Sequence, residues 1–122
     1  MPIIKYIDRN NRMERFMKIY YLLIEGKPNI YNEESKEVAG AFINCWVTAN
    51  DENTAKEKAI KYLNTQKWEI VNIEEIYIVT RERYTDEPDT LECFDESVNF
   101  GVGAVFYTWP INNEDESKQT LH

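Results

Sequence analysis

The chain has 122 residues, 43% of them hydrophobic, 13% aromatic and 30% charged, and it carries a formal net charge of −8. That length and composition fit one domain with a real core and exclude an intrinsically disordered chain. The acidic balance speaks against non-specific nucleic-acid binding, which needs a basic surface, and against an anionic membrane surface.

The only histidine is His122, in a polar terminal stretch. Ser-His-Asp, Cys-His and His-ligated metal chemistry are therefore not expected. Cys45 and Cys93 stand 48 positions apart in apolar settings, too few thiols for a four-cysteine metal site. They read as reduced, buried thiols of a cytoplasmic protein, with a single disulfide as the alternative. The opening Met-Pro-Ile-Ile-Lys lacks the apolar run of a signal peptide, and the longest apolar run, Ile19–Ile24, is too short to span a bilayer. No catalytic residue, metal ligand or cofactor is assigned.

Along the chain, residues 1–14 read as an N-terminal extension with a polar, turn-like cluster at Asp8–Arg12. Ile3, Ile4, Tyr6 and Ile7 could dock on the domain, and Met13 or Met17 could be the true start. A single α+β domain is expected over residues 15–111. Its first strand spans Phe16–Glu25 and stops at Gly26 and Pro28. A long polar connector, Lys27–Glu37, follows. The second strand is Val38–Ala49, with Ala41, Ile43, Cys45, Val47 and Ala49 on one face and Phe42, Asn44, Trp46 and Thr48 on the other.

The first helix is Glu52–Gln66, capped by Asp51 or Asn50, with Ala55, Ala59, Tyr62 and Leu63 as its apolar stripe. Lys56, Lys58 and Lys61 face outward, and Glu52–Lys56 and Glu57–Lys61 have the favourable i,i+4 order. The third strand is Trp68–Glu82, with a bulge or bend expected at Glu74-Glu75. The second helix is Thr90–Phe100, started by Asp89 and Glu92 in a capping-box-like pattern and stopped by Gly101. The last strand is Val102–Trp109, ended by Pro110, and residues 112–122 form a polar, acidic tail. The order ββαβαβ predicts one sheet of about four mainly antiparallel strands with both helices on one face, a ferredoxin-like variant. That fold hosts many functions and decides none.

Charge is placed unevenly. Residues 1–31 hold six Lys/Arg against three Asp/Glu, and residues 32–122 hold eight against nineteen. The stretch Glu82–Glu96 concentrates Glu82, Asp86, Glu87, Asp89, Glu92, Asp95 and Glu96 against Arg83 alone. Solvated carboxylates that also favour a helix N-terminus explain most of it, and a partner-binding acidic patch is the functional alternative. Its spacing does not match a calcium-binding loop. Glu74 and Glu75 are adjacent on a strand and point apart, so they do not form a catalytic pair with each other. Gly101-Val-Gly103 precedes a strand, the reverse of a phosphate-cradling loop. Most aromatics read as core. If Phe42 and Trp46 line up with Tyr107 and Trp109, they form an aromatic patch on an open sheet face.

Phe42-Ile-Asn-Cys-Trp-Val-Thr-Ala49, the acid-capped helix, Trp68-Glu-Ile70 and Gly101-Val-Gly-Ala-Val-Phe-Tyr-Thr-Trp-Pro110 are similar to stretches of small uncharacterised bacterial α+β proteins, some immunity-protein-like. The resemblance covers residues 16–110. It implies a non-enzymatic binding protein, acidic where its target is a basic, nuclease-like toxin. The expected function is thus protein interaction, with a protein partner or as a homodimer. The expected surface is Asp86, Glu87, Asp89, Glu92, Asp95 and Glu96, or the sheet face of Phe42, Trp46, Tyr107 and Trp109. Nucleic acid and membrane are not expected partners. The alternative is a small-molecule-binding or enzymatic domain with a carboxylate and aromatic pocket.

Overall fold

The computed structural model describes residues 17–111; the expected N-terminal extension and acidic tail lie outside the described residues. The elements are β1 (Lys18–Pro28), β2 (Val38–Ala49), α1 (Glu52–Thr65), β3 (Trp68–Val79), α2 (Pro88–Phe100) and β4 (Val102–Pro110). Short 3-10 turns at Glu33–Lys36 and Arg81–Tyr84 join β1 to β2 and β3 to α2. The four strands form one open sheet in the order β3-β1-β2-β4, and every neighbouring pair is antiparallel. This is an α+β architecture of the ferredoxin-like type. Its β2-α1-β3 unit joins two parallel strands across the intervening β1.

Local chemistry sets the boundaries. Asp51 caps α1, its carboxylate accepting from the Thr54 backbone N–H at 2.7 Å, and those bonds hold its pKa below the usual carboxylate value. Glu52 and Lys56 form the expected surface pair at 3.8 Å. Lys58 does not simply face outward: its Nζ donates to the Thr48 carbonyl at 2.8 Å. Helix α2 starts earlier than expected. Pro88 takes its first position, where the missing N–H costs nothing, and Glu87 precedes it without a side-chain cap. Asp89 therefore lies in the first turn rather than capping the helix. Gly101 ends α2 at φ +98°, a conformation that favours glycine.

β3 ends at Val79 rather than running to Glu82, because Arg81–Tyr84 coil into a turn. It carries the expected irregularity. The β1–β3 register shifts between Leu23 and Ile24, where Glu74 is skipped, and again between Glu25 and Gly26, where Val71 is skipped.

Two cores lie on opposite faces of the sheet. On the first, Tyr20, Leu22, Ile24, Ala41, Ile43, Cys45, Val47 and Ala49 pack under Ala55, Ala59 and Leu63 of α1. On the second, Ile19, Trp46 and Val79 pack under Tyr84, Phe94 and Val98. The expectation of two helices on one face is thereby corrected: α1 covers one face and α2 the other. The reason is β2, whose two faces are both apolar enough to need a cover. The close approach of α2 is made by Gly103, over which the Cys93 carbonyl lies.

Candidate functional site

Helix α2 and the turn before it cover only one end of their sheet face. Register places Leu23, Glu25 and Lys27 of β1, Phe42 and Asn44 of β2, Glu75 and Tyr77 of β3, and Tyr107 and Trp109 of β4 on that same face. Phe42 stands directly opposite Tyr107, and both are open, at 44% and 57% exposure. Trp109 leans on Phe42 with ring centroids 5.2 Å apart. Its indole packs against Gly40, where an added Cβ would stand 2.6 Å from the ring. Tyr77, 38% exposed, stands apart from that cluster: it pairs with Tyr21 in the row of Trp46, with 5.1 Å between the two tyrosine centroids. Arg83 stacks over the Tyr77 ring at 5.3 Å.

The centre is rigid. The Tyr21 hydroxyl donates to the Asn44 side-chain oxygen at 2.7 Å. Burial, then the neighbouring Tyr77 and Glu75, push the Tyr21 phenol up to about 12, so it stays a donor at neutral pH. Glu25, Glu69 and Glu75 lie on the same face with two cations, Lys27, which pairs with Glu69 at 4.0 Å, and Arg83, over the Tyr77 ring.

Trp46 does not belong to this surface. It is 2% exposed; its indole N–H donates to the Tyr84 hydroxyl at 3.1 Å, and its ring meets Tyr84 edge-on. The turn Arg81–Tyr84 seats Tyr84 over it, so Trp46 is a core residue of the α2 side. Tyr77 is the residue that sequence reasoning missed. The two register shifts in β3 together restore its alternation, and what places Tyr77 beside Tyr21 is the long-range pairing of β3 with β1.

The acidic candidates lie apart from the aromatics. Asp86, Glu87, Asp89, Glu92 and Glu96 are exposed on α2 and the segment before it. Asp95 is engaged by Arg81 through two hydrogen bonds of 2.9 and 3.0 Å. Among the described residues, no group of three or more His, Cys, Asp or Glu could hold a metal ion. Cys45 and Cys93 are free thiols; burial pushes Cys45 up to about 12, and Cys93 is raised by burial and then by Glu96, Glu92 and Asp89.

Open depressions of about 430 and 420 Å³ lie on the outer surfaces of α1 and α2, and a third of about 310 Å³ lies between Met17, Lys58 and Phe100. None of the three takes in the aromatic patch. No described helix is long and apolar enough to cross a membrane. Compared with protein-family models, curated proteins and solved structures, the chain matches none of them.

Proposed function

We propose that this is a non-enzymatic protein-interaction module that docks a partner on the half of its sheet face that no helix covers among the described residues. The observation that carries the reading is the cluster of exposed Phe42 and Tyr107 with half-buried Trp109 on one sheet face. Exposed aromatics on a rigid sheet are the residues that anchor protein interfaces, since they bury much area at little entropic cost. The excess of Glu25, Glu69 and Glu75 over Lys27 and Arg83 on that face favours a partner that brings apolar anchors and positive charge. Two copies meeting face to face would bring like charges together, so a separate basic protein fits better than a homodimer. An immunity-like role in the cytoplasm against a basic toxin is one form this takes. The small-molecule alternative finds less support, because Phe42 and Tyr107 are exposed on a sheet face and none of the three depressions among the described residues takes them in.

A photo-crosslinking amino acid at Tyr107, in the cells the chain comes from, should give one dominant protein adduct. The same probe at Ile60, exposed on α1, should not. Phe42→Glu should suppress the Tyr107 adduct while leaving the melting temperature unchanged. Equal adducts at both positions, or an adduct indifferent to Phe42→Glu, would overturn the reading. An adduct of double the chain mass would identify the partner as a second copy.

A further inference from the structure

The two edges of the sheet offer a neighbour different things. The β3 edge is interrupted by two register shifts and carries Glu69, Glu74 and Glu75, devices that discourage an added strand. The β4 edge has neither. Its nine residues, Val-Gly-Ala-Val-Phe-Tyr-Thr-Trp-Pro, carry no charge, and nor do the twelve of β2 behind it. The irregularity in the β2–β4 pairing falls on the β2 side, between Val38 and Gly40.

The direction of the β4 backbone groups follows from the ends of the ladder. The Thr48 N–H donates to the Gly101 carbonyl and the Ile111 N–H to the Glu37 carbonyl, each at 3.0 Å. These bonds flank the pairs Val47–Val102 and Val38–Pro110. In an antiparallel ladder that pattern turns the N–H and C=O of Gly103, Val105 and Tyr107 toward β2. Those of Val102, Ala104, Phe106 and Thr108 point outward, and among the described residues nothing takes them up. An edge of this kind is a template for one more strand.

We propose that the β4 edge pairs with β4 of a second copy of this chain, antiparallel about a two-fold axis at Phe106, so that the two sheets join into one.

Three observations select this occupant. The first is register. A strand over Val102–Pro110 overlaps itself completely in antiparallel only when its middle residue, Phe106, stands opposite itself. Phe106 is one of the residues whose backbone groups point outward, so the pair on the axis exchanges both of its hydrogen bonds. Ala104 meets Thr108 of the other copy in the same way on either side. Val102 donates to the other copy's Pro110 carbonyl, and the N–H that proline lacks falls at the end of the ladder rather than within it.

The second is charge. At a net charge of −8, two copies repel wherever their acids meet. The pairs made by this register, Phe106 with itself, Ala104 with Thr108 and Val105 with Tyr107, set no charge opposite another. Two β3 edges would instead bring glutamates together.

The third is closure. One two-fold axis uses up both open edges at once. The outer edges that remain are two copies of β3, each with its acids and register shifts, so growth stops at two chains. The contact runs through backbone groups at the sheet edge, and Phe42 lies one strand further in. The inference is therefore independent of the docking surface proposed above.

The test is the mass of the full chain in solution by light scattering, joined to an isotope-filtered NOE experiment on mixed labelled and unlabelled chains. The mass should rise with concentration to twice 14.5 kDa. The Val105 Hα should show a contact to the Tyr107 Hα of the other copy, a close pair that the Phe106-centred register creates. Thr108→Pro removes an outward N–H from each copy and no bond to β2. It should weaken dimerisation at least about tenfold, while the Val105 and Tyr107 amides stay protected as a control of folding. That variant leaves Phe42 and Tyr107 in place, so a photo-adduct of Tyr107 to a different protein should persist in it, which separates the two readings. A single-chain mass up to about 1 mM would overturn the proposal. So would a dimer that lacks the Val105–Tyr107 contact or that Thr108→Pro leaves intact. A monomer whose Ala104, Phe106 and Thr108 amides are protected from exchange would overturn it as well, by placing another part of the same chain on the edge.

Discussion

Gly103→Ala is the sharpest probe of how the second face is built. Gly103 pairs with Trp46 across the β2–β4 ladder, and α2 crosses over it. An added Cβ would collide with the Cys93 carbonyl oxygen, and would stand 3.1 Å from that carbonyl carbon and 3.3 Å from the Glu96 Cβ. The nearest obstacles are helix backbone, which cannot swing aside as the end of a flexible side chain can. Helix α2 must lift, and lifting it loosens Phe94 and Val98 against Trp46.

Overpacking of this kind costs about 1–3 kcal/mol, and a backbone obstacle argues for the upper part of that range. The gain from replacing glycine in a strand returns at most about 1 kcal/mol. A net loss of about 2 kcal/mol lowers the melting temperature of a domain this size by roughly 6–12 °C. Gly101→Ala, two residues earlier, is the control. Its Cβ meets nothing within 4 Å, and only its φ of +98° opposes the change. It should cost about 1 kcal/mol through strain alone. Thermal melts followed by circular dichroism measure both. A Gly103→Ala chain melting within about 2 °C of the unsubstituted protein would refute the placement of α2 directly against β4.

Other outcomes follow from single contacts. Asp51→Ala should cost about 1 kcal/mol in urea unfolding, by removing the cap on Thr54 of α1. Trp46→Phe should cost about 1–3 kcal/mol, because the Tyr84 hydroxyl loses its 3.1 Å donor in a buried setting; a neutral result would mean that Tyr84 finds another partner. Stability should also fall in alkali. Burial raises Cys45 from 9.0 to about 12 and Tyr21 from 10.0 to about 12, so the folded state holds both protons longer than the unfolded chain does. Their contribution is complete below about pH 9, where the unfolded thiol begins to ionise, and is lost as pH rises toward 12. Urea midpoints at pH 8, 9.5 and 11 should decline in that order, and Cys45→Ala should flatten the first step; a midpoint constant to pH 11 would contradict both shifts.

Much of this molecule is local, and local structure is written in sequence. The alternation of Val38–Ala49 fixes β2 residue for residue, the acid at Asp51 fixes the start of α1, and the pair Glu74-Glu75 marks the bulge in β3. Those features depend on side-chain period, capping chemistry and the failure of two adjacent acids to continue a half-buried strand. The lining-up of Phe42 with Tyr107 follows once β2 and β4 are neighbours, but that adjacency, with its register, is long-range.

Period alone says that β2 has two different apolar faces; it cannot say which helix covers which. Only the tertiary structure sends α1 to the small face and α2 to the aromatic one. That choice buries Trp46 beneath Tyr84 and leaves Phe42, four residues away on the same strand face, in the open. Two side chains with the same alternation and similar chemistry thus take opposite roles. Helix α2 is 13 residues long and covers one end of a sheet face whose strands run to 12 residues, and where the helix stops, the exposed surface begins.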